Sequence, residues 1–238
     1  LCAAGGIALA ILGERGVRVA AHLASVAEVE DEPFAPLPGA MLDRQLEALA
    51  AGRPLATIDP ATAGRMAQAI DAARGDQDSV GGTIECVAVG LPAGVGSPMF
   101  DGLENLLARA LFGIPALKGV EFGAGFAAAR LHGSEDNDPW HTDGAVVAPT
   151  SNHAGGILGG LSTGAPIILR VAVKPTSSIG RPQQTIDTVR RVDDAVEVRG
   201  RHDPCIAPRA VPVVEATCAL ALLDAWLSFP PEHARHDA

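Results

Sequence analysis

The sequence predicts one mixed unit of helices and strands, α/β or α+β, running as a single domain over residues 1–238. Apolar segments with helical spacing alternate with β-rich runs, and such alternation calls for packed layers around a shared core. Hydrophobic residues make up 47% of the chain and charged residues 19%, which suits a well-buried interior at this length. Neither an internal repeat nor a biased linker divides it.

Residues 1–13 alternate small and bulky apolar side chains up to Gly13, the pattern of a helix packed closely against a sheet. The run Leu1 to Leu12 lacks a basic flank and is far short of the roughly 20 residues that span a bilayer, so it predicts a core helix. Arg18 to Ala27 alternates like a strand, and Glu28 to Pro38, acidic with three prolines, predicts a loop. Helices are expected over Met41 to Ala51 and Pro60 to Arg74, the second with Asp59 as N-cap, Pro60 at its first position and Gly75 beyond its end. Thr83 to Val89 predicts a strand between turns. Phe100 to Leu111 predicts a helix with Leu103, Leu106, Leu107 and Leu111 on one face. Val120 to Leu131 is expected to be extended, and His132 to Thr150 a polar, acidic loop of the kind that serves function or moves. Ile167 to Val173 predicts a buried strand delivering Lys174. Two further strands are expected at Thr185 to Val189 and Ala195 to Val198, then an apolar helix over Val211 to Leu227 and a frayed tail from Ser228.

A net charge of −10 argues against a nucleic-acid surface, which needs clustered Lys and Arg, but not against a small anion held by a few local cations. Aromatics are only 3%, so Ala, Val, Leu and Ile must build the core around the turns implied by 27 glycines and 18 prolines. Cys2, Cys86, Cys205 and Cys218 stand far apart without metal-ligand spacing. They predict four buried thiols in a reducing, cytoplasmic setting. His132, His141, His153 and His202 show no zinc-ligand pattern either, so no metal is expected.

Chemistry concentrates in two segments. Lys174-Pro175-Thr176-Ser177-Ser178 joins a cation to three hydroxyls where a strand hands over to a loop, and consecutive N–H groups there can form an anion nest. Gly200-Arg201-His202-Asp203-Pro204-Cys205 adds a guanidinium and two proton-handling groups. On residue physics alone, a surface turn with a solvated lysine explains the first segment equally well, and a structural Arg201–Asp203 ion pair is the favoured reading of the second. The glycines of 155–160 permit close backbone approach to a ligand or tight packing. Gly123-Ala124-Gly125-Phe126-Ala127-Ala128 fits a dinucleotide fingerprint with Asp143 downstream, a weak signal without strand–turn–helix context that keeps an NAD-dependent oxidoreductase as a distant alternative. Glu85 and Glu121 read as paired structural carboxylates.

Taken together with Gly81-Gly82-Thr83-Ile84-Glu85, Gly90 to Pro98, Ile114-Pro115-Ala116-Leu117-Lys118-Gly119-Val120-Glu121, Ser151 to Gly160 and Arg209 to Ala216, these segments resemble chorismate synthase, block by block and in the family's order. The resemblance implies a β-α-β sandwich assembled as a homotetramer. It implies a lyase that converts 5-enolpyruvylshikimate 3-phosphate to chorismate by anti-1,4-elimination, with reduced FMN and with NADPH as a possible reductant, in the shikimate pathway. By the same likeness Pro115 and Ala116, Gly159, Lys174, Pro175, Thr176, Ser177, Ser178 and Arg201 would meet the flavin, and Asp203 would assist proton transfer near its N5. The family's Gly-Glu-Ser-His-Gly and Arg-Pro-Gly-His-Ala-Asp segments do not occur in this sequence. The chain is therefore expected to be the C-terminal portion of the fold, inactive by itself, with a flavin-binding or assembly fragment as the alternative. No nucleic-acid or membrane partner is expected.

Overall fold

The computed structural model describes residues 1–144 and 147–231. Helix α1 (Cys2–Glu14) leads into strands β1 (Arg18–Val26) and β2 (Val29–Glu30), followed by helices α2 (Ala40–Ala50) and α3 (Pro60–Gly75). Strand β3 (Gly82–Val89), helix α4 (Leu103–Phe112) and strand β4 (Leu117–Phe122) come next. After a 3-10 stretch, Gly125–Arg130, the chain forms the single turn α5 (Gly133–Asp136) and two short hairpins, β5 (Trp140–Thr142) with β6 (Val147–Pro149) and β7 (Ile157–Leu158) with β8 (Leu161–Ser162). Strand β9 (Ile167–Val173), the ribbon of β10 (Gln183–Asp187) and β11 (Val192–Val196), and helix α6 (Ala207–Ser228) complete it.

Five strands form one antiparallel sheet in the order β2-β1-β3-β9-β4. Period-2 alternation sends Ile84, Cys86 and Ala88 of β3 and Ile167, Leu169, Val171 and Val173 of β9 into the core that α1, α4 and α6 cover. Val87 and Ile168 point the other way, into a smaller cluster with Phe34, Leu42, Leu46 and Ile58. The α+β expectation holds: one antiparallel sheet packs against a layer of helices. By length and composition α6 could cross a membrane, yet Val214, Ala219, Leu222 and Ala225 are buried in this core.

Helix α1 approaches α6 closely because Gly5 faces Ala216, and a methyl at residue 5 would overlap both the side chain and the backbone of Ala216. Gly5→Ala is therefore expected to destabilise the protein by about 1–3 kcal/mol, although alanine is the better helix former by about 1 kcal/mol. Urea unfolding checks this; a rise in midpoint would show that the two helices separate without cost.

The same alternation places His22, Glu85, Arg170 and Glu121 in one row across β1, β3, β9 and β4, each directly opposite the next. His22 Nε2–H donates to Glu85 Oε2 at 3.3 Å and Nδ1–H to Asp31 Oδ2 at 3.0 Å. Arg170 Nη1 lies 3.3 Å from Glu85 Oε1, and its Nε lies 2.6 Å from Glu121 Oε1. Asp31 also accepts from the Ile58 and Asp59 amides, and Glu85 from Phe34 N. The row thus bolts the loops after β2 and α2 onto the sheet. Burial opposes the charged imidazole, but hydrogen bonds to Asp31 and Glu85 outweigh it and raise the His22 pKa. Burial likewise opposes the charged carboxyls of Asp31 and Glu121, whose partners nevertheless hold both below the ordinary value.

Several expectations need correction. The strand expected to run to Leu131 stops at Phe122, where Gly123 and Gly125, at φ 54° and 55°, turn the chain into the 3-10 stretch. The 132–150 loop contains α5 and the β5–β6 hairpin; its residues 145 and 146 lie outside the described part, as do residues 232–238 of the tail. The start of that tail is not frayed: Phe229 O accepts from Gly96 N at 3.2 Å and Pro231 is buried. Cys2 is exposed, whereas Cys86, Cys205 and Cys218 are buried.

Candidate active site

Strand β9 ends at Val173 and hands Lys174 to the loop 174–178, as the apolar run predicted. The Lys174 amide donates to Ala116 O at 3.0 Å, which brings the two sequence-predicted segments together. Ala116 itself sits at φ 71°, a conformation a non-glycine residue holds only under restraint and one that recurs at ligand sites. Pro115 beside it is exposed, as are Pro175 and Ser177. Ser79 Oγ–H donates to Thr176 O at 2.6 Å, pinning the loop to the turn before β3. Thr176 Oγ1 is buried without a hydrogen-bond partner.

The second segment closes on the first. Val80 N donates to Pro204 O at 2.8 Å, and His202 Nδ1 lies 3.0 Å from Ser178 Oγ. Asp203 pairs with Arg209 in the first turn of α6 (Nη1 to Oδ2, 3.1 Å), so the Arg201–Asp203 pair weighed from sequence is not the one formed. That contact is an ion pair rather than an aligned hydrogen bond, and it leaves Asp203 Oδ2 otherwise unsatisfied. Arg201 is exposed. With Arg74, His202, Asp203, Pro204 and Arg209 it lines a cavity of about 400 Å³. Three guanidiniums and one carboxylate line it; Arg209 is paired with Asp203 and Arg74 with Asp71, which leaves Arg201 as the guanidinium open to an anion within an acidic chain. Arg74 and Arg209 were not singled out from sequence as site residues; Arg74 comes from the distant end of α3, whereas Arg209 follows the 200–205 segment directly in the first turn of α6.

Gly159 is joined to this group by no hydrogen bond or ion pair among the described residues. It tips the β7–β8 hairpin at φ 61°, with nothing near the position of a Cβ, so a ligand could reach its backbone. The neighbouring glycines serve packing instead. Gly155 lies against Gly123, and Gly156 against Pro166, while Asn152 fixes their path through Pro36 O, Pro166 O and Gly156 N. Gly125 abuts the Glu121 side chain, so the dinucleotide-like glycines are spent on chain path. Among the described residues, no cluster of three or more His, Cys, Asp or Glu is arranged to hold a metal ion.

The family model described as chorismate synthase matches residues 1–227. The chain belongs to the chorismate synthase family. It is 46% identical to the chorismate synthase of Lancefieldella parvula, with 98% of this chain and 63% of that protein aligned. The enzyme of Methanosarcina acetivorans is 44% identical over 94% of this chain and 60% of its own length. A solved crystal structure of chorismate synthase superposes with a TM-score of 0.78 at 27% identity, covering 95% of this chain and 62% of that one. The chain thus spans about three-fifths of the length of these relatives, and the family resemblance read from its motifs is confirmed.

Proposed function

We propose that this chain carries the flavin-facing part of a chorismate synthase, a carbon–oxygen lyase that eliminates phosphate and a ring proton from 5-enolpyruvylshikimate 3-phosphate in the cytoplasm, as a homotetramer. The observation that carries this reading is the buried, partnerless Thr176 hydroxyl in the loop that Lys174 opens, beside the arginine-lined cleft. A hydroxyl in that state fits an anionic ligand that is to come, and so do the restrained Ala116 and the open Gly159. FMN would be held by the backbone of Pro115, Ala116 and Gly159, by Lys174 to Ser178, and by Arg201. Bound and reduced, it would lend electron density to the departing phosphate without net redox change, with NADPH as a possible reductant. Lys174 and Arg201 would supply positive charge to the bound anion, and Asp203 would handle a proton.

Lys174→Ala and Arg201→Ala are each expected to weaken FMN about 10- to 100-fold, since a lost charge-assisted hydrogen bond is worth roughly 1.5–3 kcal/mol. Fluorescence titration checks this, and equal affinity in wild type and both variants would overturn the assignment. A flavin-binding or assembly role without turnover is the second reading, for a chain that spans about three-fifths of its relatives' length. Chorismate formation from the substrate and reduced FMN by the 238-residue chain would exclude it.

A further inference from the structure

His202 Nε2 lies 2.7 Å from Val198 O, and His202 Nδ1 lies 3.0 Å from Ser178 Oγ. A carbonyl oxygen has no proton to give, so Nε2 must carry the hydrogen. In the neutral ring Nδ1 is then a lone pair, and the proton between it and Oγ can only be that of the Ser178 hydroxyl. Ser178 consequently turns its lone pairs toward the rest of the loop, the wrong polarity for an anionic oxygen. Protonating Nδ1 reverses this. The ring then donates to Oγ, the hydroxyl proton is released to point into the loop, and a positive charge appears behind it.

We propose that His202 is a positioning residue that sets the direction of the Ser178 hydroxyl, so that the 174–178 loop takes up a phosphate-class anion together with one proton on His202 Nδ1. The proton comes from solvent and no other bond changes. This rests on the reading that the loop faces a phosphate-bearing ligand. Other charged groups face the ring. Its own loop contributes Glu197, Arg199, Arg201 and Asp203. Packed against it are Arg74 and Asp78 from the end of α3 and the turn beyond, and Arg209 from α6. Of the three carboxylates, Asp78 is held by Arg181 at 2.9 Å and Asp203 by Arg209.

The test has a spectroscopic arm and a binding arm, both on the 238-residue chain. Nitrogen-15 NMR, with His202 assigned by its loss in His202→Gln, is expected to show the Nε2–H tautomer in the neutral ring and to give its titration midpoint. FMN, riboflavin and inorganic phosphate are then titrated across pH. If only the protonated ring is competent, FMN affinity falls about tenfold per pH unit above that midpoint. The ligand's own phosphate ionisation cancels in the ratio to His202→Gln, which should lack the term. Ser178→Ala should keep only the shallower slope due to ring charge, and riboflavin should show none. An Nδ1–H tautomer overturns the proposal, as does a wild-type profile matched by either His202→Gln or Ser178→Ala. A slope with inorganic phosphate but none with FMN sinks the flavin reading while supporting the role of His202.

Discussion

Glu85→Ala is expected to destabilise the protein by about 3–5 kcal/mol, the cost of breaking a buried charge pair from one side. Glu85 is 1% exposed and sits between an imidazole, a guanidinium and the Phe34 amide, so its removal strands His22 Nε2–H and the Phe34 amide away from water, while the half-buried Arg170 keeps Glu121 and Gly123 O. Glu121→Ala should cost less, because its side chain is 28% exposed and solvent can replace it. Urea unfolding of the two variants checks the order, and equal losses would mean that Glu85 is not the anchor of the row.

The row also gives stability a pH dependence of known sign. His22 has a raised pKa in the fold, so its contribution is complete below the ordinary 6.5 and is lost as pH climbs through the folded value. Asp31 and Glu121 have lowered pKa values; theirs is complete above 3.8 and 4.5 respectively and is lost as pH falls through the folded values. The alkaline loss should shrink in Glu85→Ala, where only Asp31 remains to favour the imidazolium. An unchanged alkaline slope would assign that loss to another group.

What was legible in the sequence was local. Asp59 and Pro60 marked the start of α3, and Asp59 does accept from Ala61 N at 2.9 Å, because capping is settled within one turn. The β10–β11 ribbon lies two to three residues before the two strands expected there. Its β11 is exposed throughout, so no buried face imposed a period to read. Helix α6 begins four residues before the expected Val211, because Pro208 in its first turn needs no N–H partner. Glu85 and Glu121 read correctly as structural carboxylates. Arg170 between them was invisible, since register across β3, β9 and β4 is a property of the sheet rather than of any segment. The loop 174–178 and residues 200–205 stood out by composition and by family likeness, whereas Arg74 reaches the cleft only through tertiary packing.

Asp203→Asn carries the largest expected effect on activity. If Asp203 handles a proton in the elimination, the amide keeps its size but loses the acceptor, and turnover should fall about 10²- to 10⁴-fold in whichever form of the protein makes chorismate. FMN affinity should hold, because the cations assigned to the flavin, Lys174 and Arg201, are untouched. The ion pair with Arg209 offers a competing account, in which Asp203 merely secures the first turn of α6. Arg209→Gln separates the two. An anchoring role predicts that both variants lose stability and turnover in parallel, since each breaks the same pair. A proton-handling role predicts that Arg209→Gln retains most of the turnover that Asp203→Asn loses, with similar unfolding midpoints. Undiminished turnover in Asp203→Asn, at saturating reduced FMN and substrate, would remove Asp203 from the chemistry and leave it as a brace at the mouth of the arginine-lined cleft.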